Sequence, residues 1–317
     1  MTYATLNFYP NKDPRMRFFA LWYFTILLII WTIAGDTVLG FEQSYAHPVV
    51  GVLAACVVAF LLEGLDAWAN KRRARFAGSW INAVNFLPPC IIPGLACAML
   101  IYPNDRLTPI IFAAALSLAS KVLLRAPIGN GQTQHVFNPS NLGITITLLL
   151  LPAAGLAPPY QFTENLTGFW HWVIPGIILA TGTFIHAKFT GRLPLVTAWF
   201  VGFAAQALIR ATIFHSPLAV PFLPMTSAGF ILFSLYMIPD PATTPIKPAR
   251  QVLFGLSVAA IYGVLFVTHI VFGLFIALAL TSATRGAALY VNALLLKRKP
   301  KPIARAQKAP QVAMAGD

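Results

Sequence analysis

The sequence predicts an all-α polytopic membrane protein with about ten transmembrane helices and with both termini in the cytoplasm. Three observations predict this class: apolar residues make up 58% of the 317 residues, charged residues only 10%, and the mean hydropathy is +0.72. Soluble domains carry roughly 25% charged residues. Because this chain has too little charge to cover a surface in water, a soluble fold is excluded.

Charge and cysteine content exclude two further kinds of function. The formal net charge is +13, but Lys and Arg occur in short clusters between apolar runs and not along one solvated face, so nucleic acid is not a predicted partner. Cys56, Cys90 and Cys97 lie inside apolar runs and form no CxxC pair. Neither a disulfide framework nor a metal site has the spacing that it needs.

Ten apolar runs have the length of about 17 to 25 residues that crosses a hydrocarbon layer of about 30 Å as a helix. The first begins near Phe18 and continues without a cleavage site, so it is expected to stay in the mature protein. The runs cover residues 18–39, 47–67, 80–102, 108–124, 140–157, 170–187, 194–214, 221–238, 251–268 and 270–294.

Basic residues test this topology, because Lys and Arg in short loops collect on the cytoplasmic side. With a cytoplasmic N-terminus, 19 of the 22 Lys and Arg residues fall in cytoplasmic segments. Arg106 and Arg210 fall outside, and Arg285 lies within the last run. If residues 251–294 formed one helix, the count would be nine and six C-terminal charges would move outside. Ten spans are therefore preferred.

Residues 1–296 form one predicted transmembrane domain, followed by a basic tail at 297–317. The tail is rich in Pro and Ala and has no apolar face, so it is expected to be flexible and to lie on the anionic cytoplasmic leaflet. No loop is long enough for a soluble catalytic domain. Any such module is expected on a partner chain.

Two segments place Asn or Asp directly before Pro at the start of a span: RAPIGNGQTQHVFNPSNLG at 125–143 and MIPDPATTPIKPARQ at 237–251. Pro disfavours the α region for its predecessor, so each helix should begin there with free N–H groups, which suit anions and phosphates. Both segments fall on the cytoplasmic side, where they could converge on one ligand. The structural alternative is that Asn138 and Asp240 only cap the helices that follow.

Both segments resemble motifs of one known family. HVFNPSNLGI at 135–144 resembles the (F)NPA segment of the family that contains NqrB, of the sodium-pumping NADH:quinone reductase, and RnfD, of the Rnf complex. YMIPDPATTPIKPARQVLFG at 236–255 resembles the FMATDPVTSP segment of that family. The form HVFNPSN is most similar to the UnbU-like branch known from enediyne gene clusters. Smaller similarities occur at Glu63, Gly78, Ser79, Pro88 and Pro89.

The resemblance implies a ten-span fold, built as a five-plus-five inverted repeat in the bacterial cytoplasmic (inner) membrane, that serves electron and ion transport. It also implies a flavin, either FMN or riboflavin. Members with covalent FMN carry an SGAT-type motif in the outer loop after span five, where this chain has Thr163 and Thr167 but no SGAT. A noncovalent flavin is therefore expected.

The expected binding site combines the two Pro-containing segments. The residues expected to hold the cofactor are Arg125, His135, Asn138, Pro139, Asn141, Asp240, Pro241 and Thr244. Glu63 and Arg285 are candidates for an ion path, because ionisable groups inside apolar spans are rare, although a structural ion pair is the alternative. Haem is not expected, since the six histidines lie near span ends and show no pairing within the membrane.

Three functions follow from these patterns. The first is a non-autonomous subunit of an oxidoreductase or translocase complex of the NqrB/RnfD type, in which partner subunits bring the electrons. The second is a transporter or channel for a small solute or ion, on the same frame without a redox cofactor. The third is a membrane anchor for a partner enzyme. The first is preferred because of the family resemblance and because no soluble catalytic domain is predicted.

Overall fold

Helices account for most of the chain. The computed structural model describes residues 14–129 and 132–298, and 71% of it is helical. The helices are α1 (Pro14–Ala34), α2 (Ala46–Ala69), α3 (Trp80–Phe86), α4 (Pro88–Leu100), α5 (Thr108–Leu123), α6 (Pro139–Leu150), α7 (Trp170–Ile185), α8 (Leu193–Ile213), α9 (Ala228–Leu232), α10 (Pro248–Val267) and α11 (Gly273–Arg298). The strands are β1 (Ile101–Tyr102), β2 (Arg125–Gly129), β3 (Gln132–His135) and β4 (Gly155–Leu156). π-helical turns extend α1 (Gly35–Leu39), α7 (His186–Thr190) and α9 (Phe233–Met237), and a 3-10 helix (Val220–Thr226) precedes α9.

Within the described residues, seven helical segments are long and apolar enough to cross a membrane. An eighth candidate is a broken span, in which the 3-10 helix Val220–Thr226 meets Ala228–Met237 at an angle of 69°. The structure thus supports a multi-pass α-helical membrane protein with seven or eight candidate spans. All ten predicted runs contain helix, but α5 and α6 have only 16 and 12 residues. The count of ten and the cytoplasmic termini stay predictions.

The distribution of side chains on helix α2 indicates that its outer surface faces lipid. Every fourth residue places an apolar side chain on its outer surface, while small residues and one carboxylate occupy the face toward the protein. The exposed stripe is Val49, Leu53, Val57, Leu61 and Leu65, and the buried stripe is Gly51, Ala55, Ala59, Glu63 and Ala67. This distribution is the opposite of that of a helix on the surface of a soluble protein, because the larger apolar side chains face outward. In a bilayer, small residues let neighbouring helices approach closely.

The bundle has two distinct ends. The hairpin end carries the antiparallel β2–β3 hairpin, and the opposite end carries the β1–β4 pair and residues 151–169. At the opposite end Gln161 donates from Nε2 to the carbonyl of Met99 over 2.8 Å. The ring of Phe162 packs edge-on against Phe41, with 4.4 Å between the ring centroids. These contacts hold residues 151–169 against α4 and against the residues that follow α1.

The two Pro-containing segments were predicted to start a helix directly after Asn138 and after Asp240, and only the first does so. Asn138 caps α6, since its side-chain oxygen accepts the N–H of Asn141 and Pro139 occupies the first turn. Asp240 does not cap the next predicted helix, because α10 begins at Pro248, directly after Lys247. The capping alternative is therefore correct for Asn138 and wrong for Asp240.

Helix α6 is largely enclosed by the protein and packs closely against α5. Nine of the twelve residues of α6 are buried. A Cβ added at Gly143 would lie 2.3 Å from the carbonyl oxygen of Ala113, so the two helices meet backbone to backbone. At the C-terminus α11 extends to Arg298, two residues past the predicted domain end, and positions 299–317 of the predicted tail lie outside the described residues.

Candidate binding cavity at the hairpin end

A cavity of about 830 Å³ opens at the hairpin end and extends along α4 as far as Met99 and Leu100. Its deep part is lined by apolar and aromatic side chains, among them Phe24, Phe233 and Tyr236. The rings of Phe24 and Tyr236 are stacked, with 5.3 Å between centroids and 11° between planes. The deep part is therefore suited to an apolar or planar aromatic group.

The mouth of the cavity is polar. Its polar lining residues are Glu63, Asp66, Asn70, Arg75, Asn82, Asn85, Lys121, Arg125, Gln132, Thr133, Gln134, His135, Asn138, Ser140 and Asp240. Both cations and amides lie there, next to the exposed surface of the hairpin. A cavity with an apolar interior and a few polar groups at one end matches an amphipathic ligand with a charged or hydrogen-bonding head.

The structure brings the two Pro-containing segments into direct contact at this mouth. Asn138 donates from Nδ2 to the carbonyl of Met237 over 3.0 Å. Gln134 of the hairpin donates to the carbonyl of Ala242. These bonds join residues about 100 positions apart in sequence. The segments 125–143 and 237–251 thus form one surface.

Asp240 organises the second segment. Its Oδ1 accepts the N–H of Ala242 over 2.9 Å, and its Oδ2 accepts the hydroxyl of Thr243 over 3.2 Å. His135 faces the same carboxylate, with 3.9 Å between Nε2 and Oδ2. The hairpin and the turn at 240–243 therefore share one carboxylate.

The protonation states of this pair follow from burial and mutual contact. Burial lowers the pKa of His135, and Asp240 offsets only part of that effect. Burial alone would raise the pKa of Asp240, but His135 and the N–H of Ala242 favour the carboxylate more, so the pKa lies below its usual range. At neutral pH the pair is a neutral imidazole beside a carboxylate.

Arg192 is a central residue that sequence reasoning assigned to a cytoplasmic loop. It is only 1% exposed, and it donates from Nε to Thr244 Oγ1 over 2.9 Å and from Nη2 to the carbonyl of Pro241 over 3.2 Å. One signal could have identified it. Arg192 stands between Gly191, which has a φ of +64°, and a helix that starts at Leu193, so it is held between a helix stop and a helix start.

Arg285 of α11 completes this group of charges. It lies close enough to Arg192 and Asp240 to feel both charges. Its Nη1 is buried and has no hydrogen-bond partner among the described residues. We call His135, Arg192, Asp240 and Arg285 the Asp240 cluster. The negative charge that reaches Arg285 is thus that of Asp240, but the described residues form no ion pair between the two.

Six of the eight residues expected to hold a cofactor line the cavity. They are Arg125, His135, Asn138, Pro139, Asp240 and Pro241. Asn141 and Thr244 do not line it. Asn141 donates from Nδ2 to the carbonyl of Phe275 over 3.1 Å and so joins α6 to α11, whereas Thr244 accepts from Arg192. These two residues position the site from behind.

Glu63 lines the cavity but, unlike Arg285, it has arginine partners for its charge. Its carboxylate accepts from Arg72 Nη1 over 2.6 Å and from Arg75 Nε over 2.7 Å, and Asp66 pairs with the same Arg72. We call these four residues the Glu63 clasp. The clasp fastens the loop after α2 to the cavity wall.

No family model matches the sequence, and no curated protein does. The NqrB/RnfD resemblance therefore stays a prediction. In the part of the chain that the structure describes, no three His, Cys, Asp or Glu side chains are grouped so that they could hold a metal ion.

Proposed function

We propose that this chain is a flavin-holding subunit of a membrane electron-transfer complex of the NqrB/RnfD type, coupled to ion translocation, in the bacterial cytoplasmic membrane. The observation that carries the proposal is the cavity of about 830 Å³, whose mouth is built from both Pro-containing segments. The same two segments carry the family resemblance. Partner subunits would supply and remove electrons, because no soluble catalytic domain is predicted in this chain.

The proposed orientation places the hairpin end in the cytoplasm. Basic clusters at Lys71–Arg75, Lys121–Arg125 and Lys188–Arg192 lie at this end, as the positive-inside rule requires of cytoplasmic loops. Ten crossings result when α5, α6 and the broken span are counted. An even number then keeps the two termini on one side.

The cavity residues fit a noncovalent flavin. The aromatic side chains of the deep part suit a planar ring system, and the amides of Asn82, Asn85 and Gln134 suit its hydrogen-bonding edge. Lys121 and Arg125 at the mouth suit the phosphate of FMN. A bound flavin would supply electron transfer.

A covalent flavin does not fit the cavity. Thr163 lies at the opposite end, where it is buried and its hydroxyl donates to the carbonyl of Tyr160 over 2.9 Å. Thr167 belongs to the same end. Neither hydroxyl lines the cavity.

The chain's own residues would bind, orient and shield the cofactor. The contact between Asn138 and Met237 would fix the two segments relative to each other. The neutral imidazole of His135 can take up a proton at the mouth, next to the carboxylate of Asp240. These roles require no movement of the backbone.

An absorbance and fluorescence spectrum of the detergent-purified protein, recorded before and after acid precipitation, tests this function. We expect flavin bands that are released into the supernatant. The variant Ala96→Phe narrows the cavity and should lose the bands, whereas Ala205→Phe, on the exposed face of α8, should keep them. A colourless and folded wild-type protein, also after incubation with FMN and riboflavin, would contradict the proposal.

Transport of a small solute or ion is the second candidate, favoured by the broken helices. Helix α6 has only 12 residues and starts at the cavity, and the bent Val220–Met237 unit ends there. Broken helices at a central cavity are typical of transporters. Solute uptake by colourless protein in proteoliposomes would support this function. An anchor would instead show itself by a co-purifying cytoplasmic enzyme without cofactor or uptake.

A further inference from the structure

A second group of polar atoms without partners lies at the opposite end, outside the cavity. Arg210 is in the last turn of α8 and only 7% exposed. Its Nε is buried and has no hydrogen-bond acceptor in the described part of the chain, and it forms none of the ion pairs found there. A buried guanidinium without an anion is costly, so a compensating group is expected.

The terminal nitrogens of Arg210 keep accessible surface, because only Nε of this guanidinium is fully buried without a partner. The guanidinium carbon lies 3.8 Å from the centre of the Phe266 ring, which covers one face of the cation. Gln206 lies one helical turn earlier on the same side of α8, and both its amide nitrogen and its amide oxygen are buried without a partner. A guanidinium edge with an adjacent amide donor is an arrangement that suits a phosphate.

An apolar pocket adjoins this polar group. It measures about 260 Å³ and is lined by Phe266 and Tyr262, the two aromatic residues that neighbour Arg210, together with Leu156, Phe272 and Leu274. The polar group and the pocket therefore share a wall. This combination matches a phosphate ester whose apolar part enters the pocket.

We propose that Arg210 and Gln206 form a binding site for a phosphate ester at the opposite end of the bundle. The ligand is either the headgroup of an anionic phospholipid or a soluble phosphate. The phosphate oxygens would accept from the terminal nitrogens of the guanidinium and, after rotation of its side chain, from the amide of Gln206. The site is independent of the cavity and of the redox proposal.

Isothermal titration of delipidated protein in a neutral detergent tests the site, with inorganic phosphate and dihexanoyl phosphatidylglycerol as the probes. We expect wild-type protein to bind one or both probes and Arg210→Gln to bind at least tenfold more weakly. The matched control is Arg106→Gln, which removes an exposed arginine at the same end and should change nothing. Wild-type protein that binds neither probe, or equal binding by Arg210→Gln, would overturn the proposal.

Two further variants complete the test. One gives a result even if Arg210→Gln does not fold, and the other distinguishes a phospholipid from a soluble phosphate. Gln206→Leu keeps the charge and should weaken binding several-fold, which gives a second reading if Arg210→Gln does not fold. Gly273→Leu narrows the pocket, and a Cβ at this position meets nothing closer than 3.5 Å. A loss of lipid binding alone in this variant identifies the phospholipid. Equal affinity for both probes, unchanged by Gly273→Leu, identifies a soluble phosphate.

Discussion

The Glu63 clasp and the Asp240 cluster both hold buried charges beside the cavity, but their partners are balanced differently. In the clasp, each carboxylate oxygen of Glu63 is bound by an arginine. In the Asp240 cluster, the carboxylate of Asp240 forms no ion pair with Arg285 among the described residues, and Arg285 keeps a buried donor that no described residue satisfies. The clasp is complete without a ligand, whereas the cluster is not.

This difference teaches how an ionisable residue in an apolar run should be interpreted. Such residues are functional candidates by default, because a charge in hydrocarbon is costly. A charge whose hydrogen bonds are all made within the chain holds the structure together, and removing one partner destabilises it. A charge with an unmet donor can still attract a ligand. The four predictions below separate these two roles.

The largest effect on stability is expected when both arginine partners of Glu63 are removed. The double variant Arg72→Ala/Arg75→Ala leaves the buried carboxylate of Glu63 without its arginine partners. We expect the free energy of unfolding to fall by about 3 kcal/mol. This is the low end of the range for a broken buried ion pair, because Arg75 is largely exposed. Thermal denaturation in detergent measures the loss. Adding Glu63→Gln should recover most of it. If the double variant melts like wild type, the clasp has no structural role.

Asp240→Ala should act on the ligand and not on insertion. It removes the carboxylate whose charge reaches Arg285 and the acceptors of Ala242 and Thr243. We expect flavin retention and any activity to be lost, at least tenfold or about 1.4 kcal/mol in binding, while the protein inserts and folds. Absorbance per mole of purified protein measures this. Asp105→Ala, at an exposed position, is the control. Full retention in Asp240→Ala would remove the site hypothesis.

A smaller effect is expected from the protonation of His135. Burial lowers the pKa of this imidazole below the value of about 6.5 that holds in the unfolded chain. Between the two pKa values the unfolded state binds more protons, so stability is complete above about pH 6.5 and falls as the pH is lowered. The carboxylate of Asp240 does not titrate in this range, because its pKa is lowered from 3.8. Melting temperatures at pH 7.5 and 5.5 should differ more for wild type than for His135→Gln. Equal differences would show that His135 is not the titrating group.

The smallest effect concerns the phosphate of the ligand. Lys121 lines the mouth, and its Nζ also donates to the carbonyl of Pro89 over 3.2 Å. We expect Lys121→Gln to reduce retention of FMN a few-fold and to leave riboflavin unaffected. Lys188→Gln removes an exposed lysine at the same end and should change neither. Equal loss of both flavins in Lys121→Gln would indicate a structural role for this lysine.

The sequence was sufficient for the class of multi-pass helical membrane protein, because apolar runs between basic clusters follow directly from the cost of burying charge in hydrocarbon. It was not sufficient for helix length. Hydropathy extended one run to residue 157, but α6 ends at Leu150, since Leu151 is extended and Pro152 cannot continue a helix. The residues that follow are apolar, yet they form a loop and the short strand β4.

The candidate site was predictable where a local signal exists and not where contacts are distant. Asn-Pro and Asp-Pro marked the two segments, and their hydrogen bonds bring them together. The role of Arg192 depends on Thr244, which lies 52 residues away. No local pattern reports such a contact. Arg72 and Arg75, the partners of Glu63, are nearer in sequence. Their contacts with Glu63 still depend on the turn after α2, which the sequence pattern did not define.

The shortness of α6 has a consequence for how the protein is made. Its 12 residues rise about 18 Å, which is well below the thickness of the hydrocarbon layer of about 30 Å. Its polar anchors are the carbonyls of Met237 and Phe275, and Phe275 is synthesised 134 residues after Asn141. The contact of α6 with Phe275 can therefore form only after α11 has been synthesised. Until then, the buried amide of Asn141 lacks this acceptor, so the short helix is completed by the last one.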